Sequence, residues 1–344
     1  MTAAPTELTG SALFRRGAVR LLHLLLSEYF VLVLCILYVA CIYPFVPEIL
    51  SPGVWSNILD DMMPLLIVAI GQTFVLIVAG IDLSITAIIS MSAVVGASVM
   101  TGTNGYFGGT AFAVPGAIVA MLLVGFLIGA ANGAAVIRLN MPSFIVTLAT
   151  RMFFAGAAIW YVTFHSTSSS IANLPAGFTS LATGKLFGIP ATVIMVGLVG
   201  LLCHVALSRT EFGRHVYAVG TNPKAARVSG IPVERTIFTT FVISGLCASV
   251  AAMMYAARMQ TGSPIAGENI LLDVIGAVVI GGTSLFGGKG KIVWTLFGVL
   301  FLVILDTSMK LLGSSLFAIY MIKGGVILLA AIMDTLRNRI LAER

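Results

Sequence analysis

Among the charged side chains that stand in or beside runs that are otherwise apolar are Asp82, Arg151, Asp273, Asp306, Lys310 and Lys323. Ionisable groups are costly in lipid, and their default reading is a passage or relay for ions or solutes. Each also has a structural alternative. Asp82, in Gly80-Ile81-Asp82-Leu83-Ser84, opens an apolar run, where a carboxylate accepts orphan N–H groups and favours the helix dipole. It serves equally as a polar contact or hinge in unwound backbone, which lipid tolerates only along a pathway. Arg151 lies about two turns into its run and can snorkel to the inner interface. Asp306 and Lys310 are spaced i, i+4 and should pair, and Asp273 opens a short run that it can cap. The uncharged groups Gln72, Asn132 and Ser143 glue helices as readily as they touch a solute.

Enzyme chemistry is not written in the chain. There is no HExxH, no GxSxG, no cysteine–histidine arrangement and no carboxylate cluster with metal spacing, so no catalytic residue, cofactor or metal is expected. GGTSLFGGKGK, residues 281–291, approaches a nucleotide loop but fails its pattern. Thr283 occupies the first glycine position before Gly288-Lys289, and Gly290 follows the lysine. Gly281, Gly282, Gly287 and Gly288 are instead expected to let the backbone turn tightly, as Gly80 does at the earlier break.

The elements that position these residues follow from composition. Of 344 residues 59% are hydrophobic and 9% charged, against about 25% charged in a soluble domain. So little charge cannot cover a watery surface, so the chain sits in membrane lipid and its apolar runs are spans. The net charge of +6 is not accompanied by a basic face with aromatic platforms, so nucleic acid is not expected as a partner. Cys35, Cys41, Cys203 and Cys247 lie in apolar runs without CxxC spacing and read as small core residues.

The reading is an all-α integral membrane protein of about ten transmembrane helices with Gly-rich breaks. Spans are expected at about 21–43, 62–79, 83–100, 112–137, 143–164, 191–207, 236–257, 270–280, 292–309 and 315–333. Residues 44–56, with three prolines, read as a loop. The run from Met62 to Met100 would be about 58 Å long as one helix, nearly twice the hydrocarbon core, so it breaks at Gly80–Ser84. Ten spans with an inside amino terminus leave fourteen Lys/Arg in inside segments and only Lys185, Arg258 and Lys310 outside, which places both termini in the cytoplasm. The domain division is a cytoplasmic tail 1–20, one permease body 21–336 and a tail 337–344. VLIVAGIDLS and AVVIGGTSL hint at an internal repeat.

The longest polar run between apolar segments is 208–235, SRTEFGRHVYAVGTNPKAARVSGIPVER, on the cytoplasmic side in this topology. Asn222 is an N-cap type, Pro223 suits the first helical position, Lys224 to Val228 can form a short helix, and Gly230 supplies a left-handed stop before Pro232. A solvated loop held inside by its charge is the plainer alternative.

These stretches together resemble the ribose-type sugar permeases of bacterial ABC importers over about 62–333. Gly80-Ile81-Asp82-Leu83-Ser84 is similar to that family's Gly-Gly-Ile-Asp-Leu-Ser, with Ala79 in place of the first glycine and Gly80 expected to keep the turn-forming role. Pro142 to Leu148 resembles its fifth-span opening, Thr210–Arg214, Tyr217–Gly220, Asn222 and Ala225–Ile231 its cytoplasmic loop, and Ala277–Leu285 with Gly287-Gly288 its late glycine motif. The resemblance implies a bacterial inner-membrane subunit, served by a periplasmic binding protein and a separate cytoplasmic ATPase, and paired with a second permease copy or paralogue. It implies that the helix at 222–230 docks in a groove of the ATPase. Asn222, Pro223 and Gly230 would fix its ends, Ala225 and Ala226 allow close approach, and Arg227 pair with an acidic groove residue. Gln72, Asp82, Asn132 and Asp273 are the candidates for contacts along the transport pathway. The competing reading is a proton-coupled secondary transporter using Asp82, Asp306 or Arg151.

Overall fold

A computed structural model describes residues 30–342. The basic tail 1–20 and the start of the first expected span lie outside them. The fold is helical, with one two-stranded turn: β1 (Lys185–Leu186) pairs antiparallel with β2 (Ile189–Pro190). The helices are α1 (Phe30–Ile42), α2 (Pro52–Ile77), α3 (Ile85–Met100), α4 (Ala113–Arg138), α5 (Ser143–Val162), α6 (Ala176–Thr183) and α7 (Ala191–Arg209). They continue with α8 (Glu211–Thr221), α9 (Pro223–Val228), α10 (Val233–Met259), α11 (Leu271–Ile280), α12 (Ile292–Leu311) and α13 (Leu316–Ala342). Among the described residues seven are long and apolar enough to cross a membrane: α2, α4, α5, α7, α10, α12 and α13. The apolar helices α1, α3 and α11 are shorter.

Three boundaries differ from the sequence reading. Pro52 does not belong to a loop. It is the first residue of α2, with Ser51 Oγ accepting from Val54 N at 3.3 Å as the N-cap, so α2 starts ten residues before Met62. Proline is compatible with that position because its missing N–H has no partner to lose. The polar run after α7 holds two helices rather than one, α8 as well as α9. The last helix continues beyond Met333 to Ala342, into the segment read as a tail.

α2 and α10 form the centre. α2 packs on α10, α12, α11 and α7, and α10 on α4, α2, α3 and α6. The α4–α10 contact is close because α4 carries a ridge of Gly125, Gly129 and Gly133, one every four residues. A Cβ on Gly129 would stand 2.5 Å from the Phe241 carbonyl oxygen, and one on Gly133 3.1 Å from Phe238 Cα. Small residues at this spacing let two backbones approach where lipid offers no hydrophobic drive. α1 packs mainly on α12: Tyr38 Oη is 2.7 Å from Ser308 Oγ, and the Tyr38 and Phe301 rings meet edge-on at 5.7 Å.

The two Gly-rich breaks end their helices alike. After α2, Ala79 N donates to Leu76 O and Gly80 N to Val75 O, each at 2.9 Å. After α11, Gly282 N donates to Val279 O at 2.8 Å and Thr283 N to Val278 O at 3.1 Å. Both are Schellman ends, with Ala79 and Gly282 at the left-handed position (φ 60° and 96°). The two breaks thus share a type of helix end, but not the register of the sequence likeness, in which Ala79 stands opposite Gly281 and Gly80 opposite Gly282. The first break also corrects the role given to Gly80. The left-handed turn is made by Ala79, and Gly80 lies against Val75 Cγ1, where a Cβ would stand at 3.1 Å. Left-handed backbone costs a residue with a Cβ about 1 kcal/mol, and Ala79 is exposed, so its methyl gains little packing in return. Ala79→Gly should accordingly raise the unfolding free energy by about 0.5 kcal/mol after the entropic cost of glycine. A melting temperature of the detergent-solubilised protein that falls would contradict the assignment.

Candidate functional site

The unwound segment between α2 and α3 carries the first group of predicted residues. Its difficulty is elementary: residues 81–84 leave the helical ladder among apolar helices, and their N–H groups need acceptors. Each of four consecutive N–H groups has a side-chain acceptor. Ile81 N donates to Ser143 Oγ and Leu83 N to Thr147 Oγ1, both at 3.0 Å, from the first turns of α5. Asp82 N and O both meet the amide of Gln72 on α2 at 3.2 Å, in the amide orientation that satisfies both. Ser84 N donates to Asp82 Oδ1 at 2.9 Å.

The carboxylate of Asp82 is fully buried and completes the group. Oδ1 also accepts from Ser84 Oγ at 2.6 Å, and Oδ2 accepts from Ser244 Oγ on α10 at 2.8 Å. Asn132 on α4 donates to Ser84 Oγ at 2.8 Å and accepts from Thr150 Oγ1 on α5 at 2.7 Å. Gln72, Asp82 and Asn132 are thus brought together by α2, α4 and the break, with Ser84, Ser143, Thr147, Thr150 and Ser244 as partners. Of these partners the sequence reading singled out only Ser143. Hydroxyls on apolar helices give little signal, although Ser143 and Thr147 are spaced i, i+4. Asp82 does not cap the first turn of α3: the N-cap is Ser84, whose own side chain makes no capping bond.

Asp273 stands elsewhere, at the opposite end of the bundle. Lys323 on α13 bridges Asp273 on α11 at 2.9 Å and Asp306 on α12 at 2.7 Å, and Lys310 pairs with Asp306 at 2.6 Å. The i, i+4 pair expected from the sequence is there, inside a larger network. Asp273 lies in the first turn of α11 but is not its N-cap, a position held by Ile270. A second pair, Arg258 with Asp61 at 2.6 Å, lines the same cavity of about 210 Å³. Arg151 belongs to neither group and lines a separate pocket on α5. The three residues of a proton relay therefore fall in three places, without the contiguity such a relay requires.

The polar segment docks against the first break. Gly288 N donates to Ile77 O at 2.8 Å, and a Cβ on Gly220 of α8 would overlap that same carbonyl. A Cβ on Gly287, itself left-handed (φ 84°), would meet Gly220 O at 2.8 Å and Ala79 Cβ at 2.9 Å. Tyr217 Oη donates to Gly290 O at 2.7 Å, and burial pushes this phenol above its ordinary pKa. The end of α8, the loop 281–291 and the end of α2 thus meet backbone to backbone.

α9 is built as its sequence reads. Asn222 Oδ1 accepts from Lys224 N at 3.1 Å and Ala225 N at 3.0 Å, and Pro223 is the first helical residue. Gly230 (φ 80°) ends the helix, with Gly230 N donating to Arg227 O at 3.1 Å and Ile231 N to Ala226 O at 3.0 Å. The faces differ from expectation in two respects. Ala226 is buried within this chain, so it seats α9 and leaves Ala225 on the open side. Arg227 is already paired with Glu234 at the start of α10. Val228, 91% exposed, is the apolar side chain that the sequence reading passed over. Its signal was a lone large apolar residue at the end of a short basic helix.

Residues 54–331 match the family described as branched-chain amino acid transport system / permease component. The ribose import permease protein RbsC of Bacillus subtilis is 36% identical over 84% of this chain and 86% of its own length. Its namesake in Escherichia coli K12 is 33% identical over 90% and 94%. The xylose transport system permease protein XylH of the same strain is 32% identical over 83% and 85%. No solved structure matches the chain.

The hydrogen bonds of the break give a direct test. Thr147→Val keeps the shape but removes the acceptor of Leu83 N and the donor near Ile81 O. It should cost about 2 kcal/mol of stability, since it strands a buried donor. A thermal unfolding curve that superimposes on that of the unsubstituted protein would show that Thr147 does not hold the break.

Proposed function

The chain belongs to the branched-chain amino acid transport system / permease component family, and on that footing we propose how it passes its solute and receives its work. It is the transmembrane permease subunit of an ATP-driven importer for a sugar or sugar-like solute, and a multi-pass protein of the inner membrane. An ATPase subunit and a periplasmic binding protein are its partners. Its relatives are transport permeases rather than enzymes.

The finer topology has ten crossings, with α1, α3 and α11 completing the seven long helices, and both termini in the cytoplasm. The lysine and arginine bias of the segments supports this arrangement. The end carrying α8 and α9 then faces the ATPase. Exposed apolar side chains on α5 (Met152, Phe153, Trp160), α7 (Leu198, Leu201, Leu202) and α13 (Phe317, Met321) face lipid or a second permease copy. An identical copy or a paralogue fits equally.

The observation that carries the coupling role is α9 itself: six residues, both ends fixed by hydrogen bonds, projecting Val228 and Ala225 outward. Such an element transmits force because caps at both ends oppose its fraying. Val228 and Ala225 enter a groove of the ATPase; Arg227, held by Glu234, stiffens the helix-to-α10 connection. Force arriving at α9 passes through α8 to the backbone junction at Ile77 and so to the break that holds Asp82. This reading moves Gln72, Asp82 and Asn132 from solute contacts to the frame of the hinge.

Proteoliposomes holding the permease with its ATPase and binding protein should take up solute only with ATP inside the reaction, and an uncoupler should leave uptake intact. Val228→Asp should lower uptake and solute-stimulated ATP hydrolysis at least tenfold without altering membrane insertion. Uptake unchanged in that variant would refute the role of α9. Uptake abolished by the uncoupler with ATP maintained would restore the proton-coupled reading.

A further inference from the structure

The pocket around Arg151 is not accounted for by the hinge, by the coupling helix or by the ion-pair network. It has a volume of about 100 Å³ and lies between α3, α5 and the segment linking α10 to α11. Its floor is Thr86, Ala87 and Ser90, all buried; its rim is Ile159, Ile265 and Glu268, all exposed; Arg151 stands between them, partly exposed.

Three independent features make this pocket a polar one whose groups are not satisfied by the helices around it. First, the linking segment is not helical, yet it runs down the side of α3. A Cβ on Gly262 would meet Ala93 O at 2.6 Å, and one on Gly267 would meet Thr86 O at 2.8 Å and Ile89 Cβ at 3.1 Å. Five residues of irregular chain thus descend past about two turns of α3, roughly 10 Å along its axis. At such depth irregular backbone survives only where protein or a watery cavity receives its polar groups. Second, Arg151 is the ninth residue of α5, about 12 Å from its start, and it forms no ion pair among the described residues. A guanidinium does not face hydrocarbon there without a counter-charge or water. Third, Thr86 Oγ1 is buried, lines the pocket, and finds no hydrogen-bond partner among the described residues. By contrast, the hydroxyls and amides around Asp82 have one another.

We propose that this pocket is where the permease itself touches its solute: Arg151, Glu268, Thr86 and Ser90 form a contact site for the hydroxyl edge of a monosaccharide. The proposal rests on the sugar-importer reading for the class of solute. Arg151 offers a fork of donors to a vicinal diol, Glu268 accepts from a hydroxyl, and Thr86 and Ser90 both donate and accept. The apolar rim of Ile159 and Ile265 suits the C–H face of the sugar ring. A pocket of this size takes one edge of a sugar and leaves the rest open, which suits a site that must release its solute in each cycle.

Two measurements on the complete transporter test this. In a background with Cys35, Cys41, Cys203 and Cys247 replaced by alanine, Ala155→Cys should react with a charged, water-soluble methanethiosulfonate reagent, and a transported monosaccharide should slow the reaction at least threefold. A thiol at residue 155 that reacts at no stage of the cycle would overturn the pocket as part of a watery path. Labelling that no transported sugar slows would overturn it as a contact site. Separately, Arg151→Gln and Thr86→Val should each lower the rate of uptake at least fivefold at saturating binding protein, while the ATPase still co-purifies with each variant. Uptake within twofold of the unsubstituted complex in both would sink the site. If the unsubstituted complex imports no monosaccharide but does import another solute, the sugar reading fails; labelling of residue 155, slowed or not by that solute, still judges the pocket.

Discussion

Hydrocarbon offers a peptide group nothing to bond to, and the molecule is arranged around a place where that rule is strained. Between α2 and α3 four successive N–H groups leave the helical ladder, and side chains from α2, α5 and the break itself receive them. The buried carboxylate of Asp82 ties the same segment to α10 through Ser244. An unmade hydrogen bond in such a setting costs about 1–3 kcal/mol, so the break is stable only while these helices keep their relative positions. It is a joint whose stiffness comes from its neighbours rather than from itself.

The same bonds leave few polar groups around the break free to meet a solute. Gln72, Asp82 and Asn132 have their hydrogen-bonding capacity engaged by one another and by hydroxyls, and a passing solute would have to compete with those bonds. Thr86, one turn further along, is not engaged in this way. At the other end of the bundle Lys323 joins α11, α12 and α13 through Asp273 and Asp306. Bridging one cation between two carboxylates on separate helices resists their sliding and leaves less charge for a substrate. The contact of α8 and the loop 281–291 with Ile77 joins the end that carries α9 to the break without a flexible side chain between them. Backbone contacts transmit displacement better than long side chains, which absorb it by changing rotamer.

How much of this was legible in the sequence depended on whether the signal was local. The helix α9 could be read because Asn222, Pro223 and Gly230 each act within a few residues, and the two Gly-rich breaks could be read for the same reason. Local signals also misled: Pro52, counted among loop prolines, begins α2 because Ser51 precedes it, and Gly80 drew attention from Ala79, which makes the left-handed turn. α8 went unread because its apolar residues, Phe212, Val216 and Val219, are spaced for one face among charges, which in a very apolar chain looks like loop. What the sequence could not supply were contacts between distant elements: the pairing of Arg227 with Glu234, the inward face of Ala226, and the meeting of Thr147 with the break. Each depends on how helices cross, and single hydroxyls or alanines on an apolar helix do not announce a partner.

The placement of α1 bears on how the protein is made. Its hydroxyl partner Ser308 lies 270 residues downstream of Tyr38. At ribosomal rates of about 5–20 residues per second, roughly 15–50 s separate the synthesis of the two. Through that interval α1 has its main protein neighbour still untranslated. α12 therefore arrives to collect a helix parked in the bilayer or held by the insertion machinery.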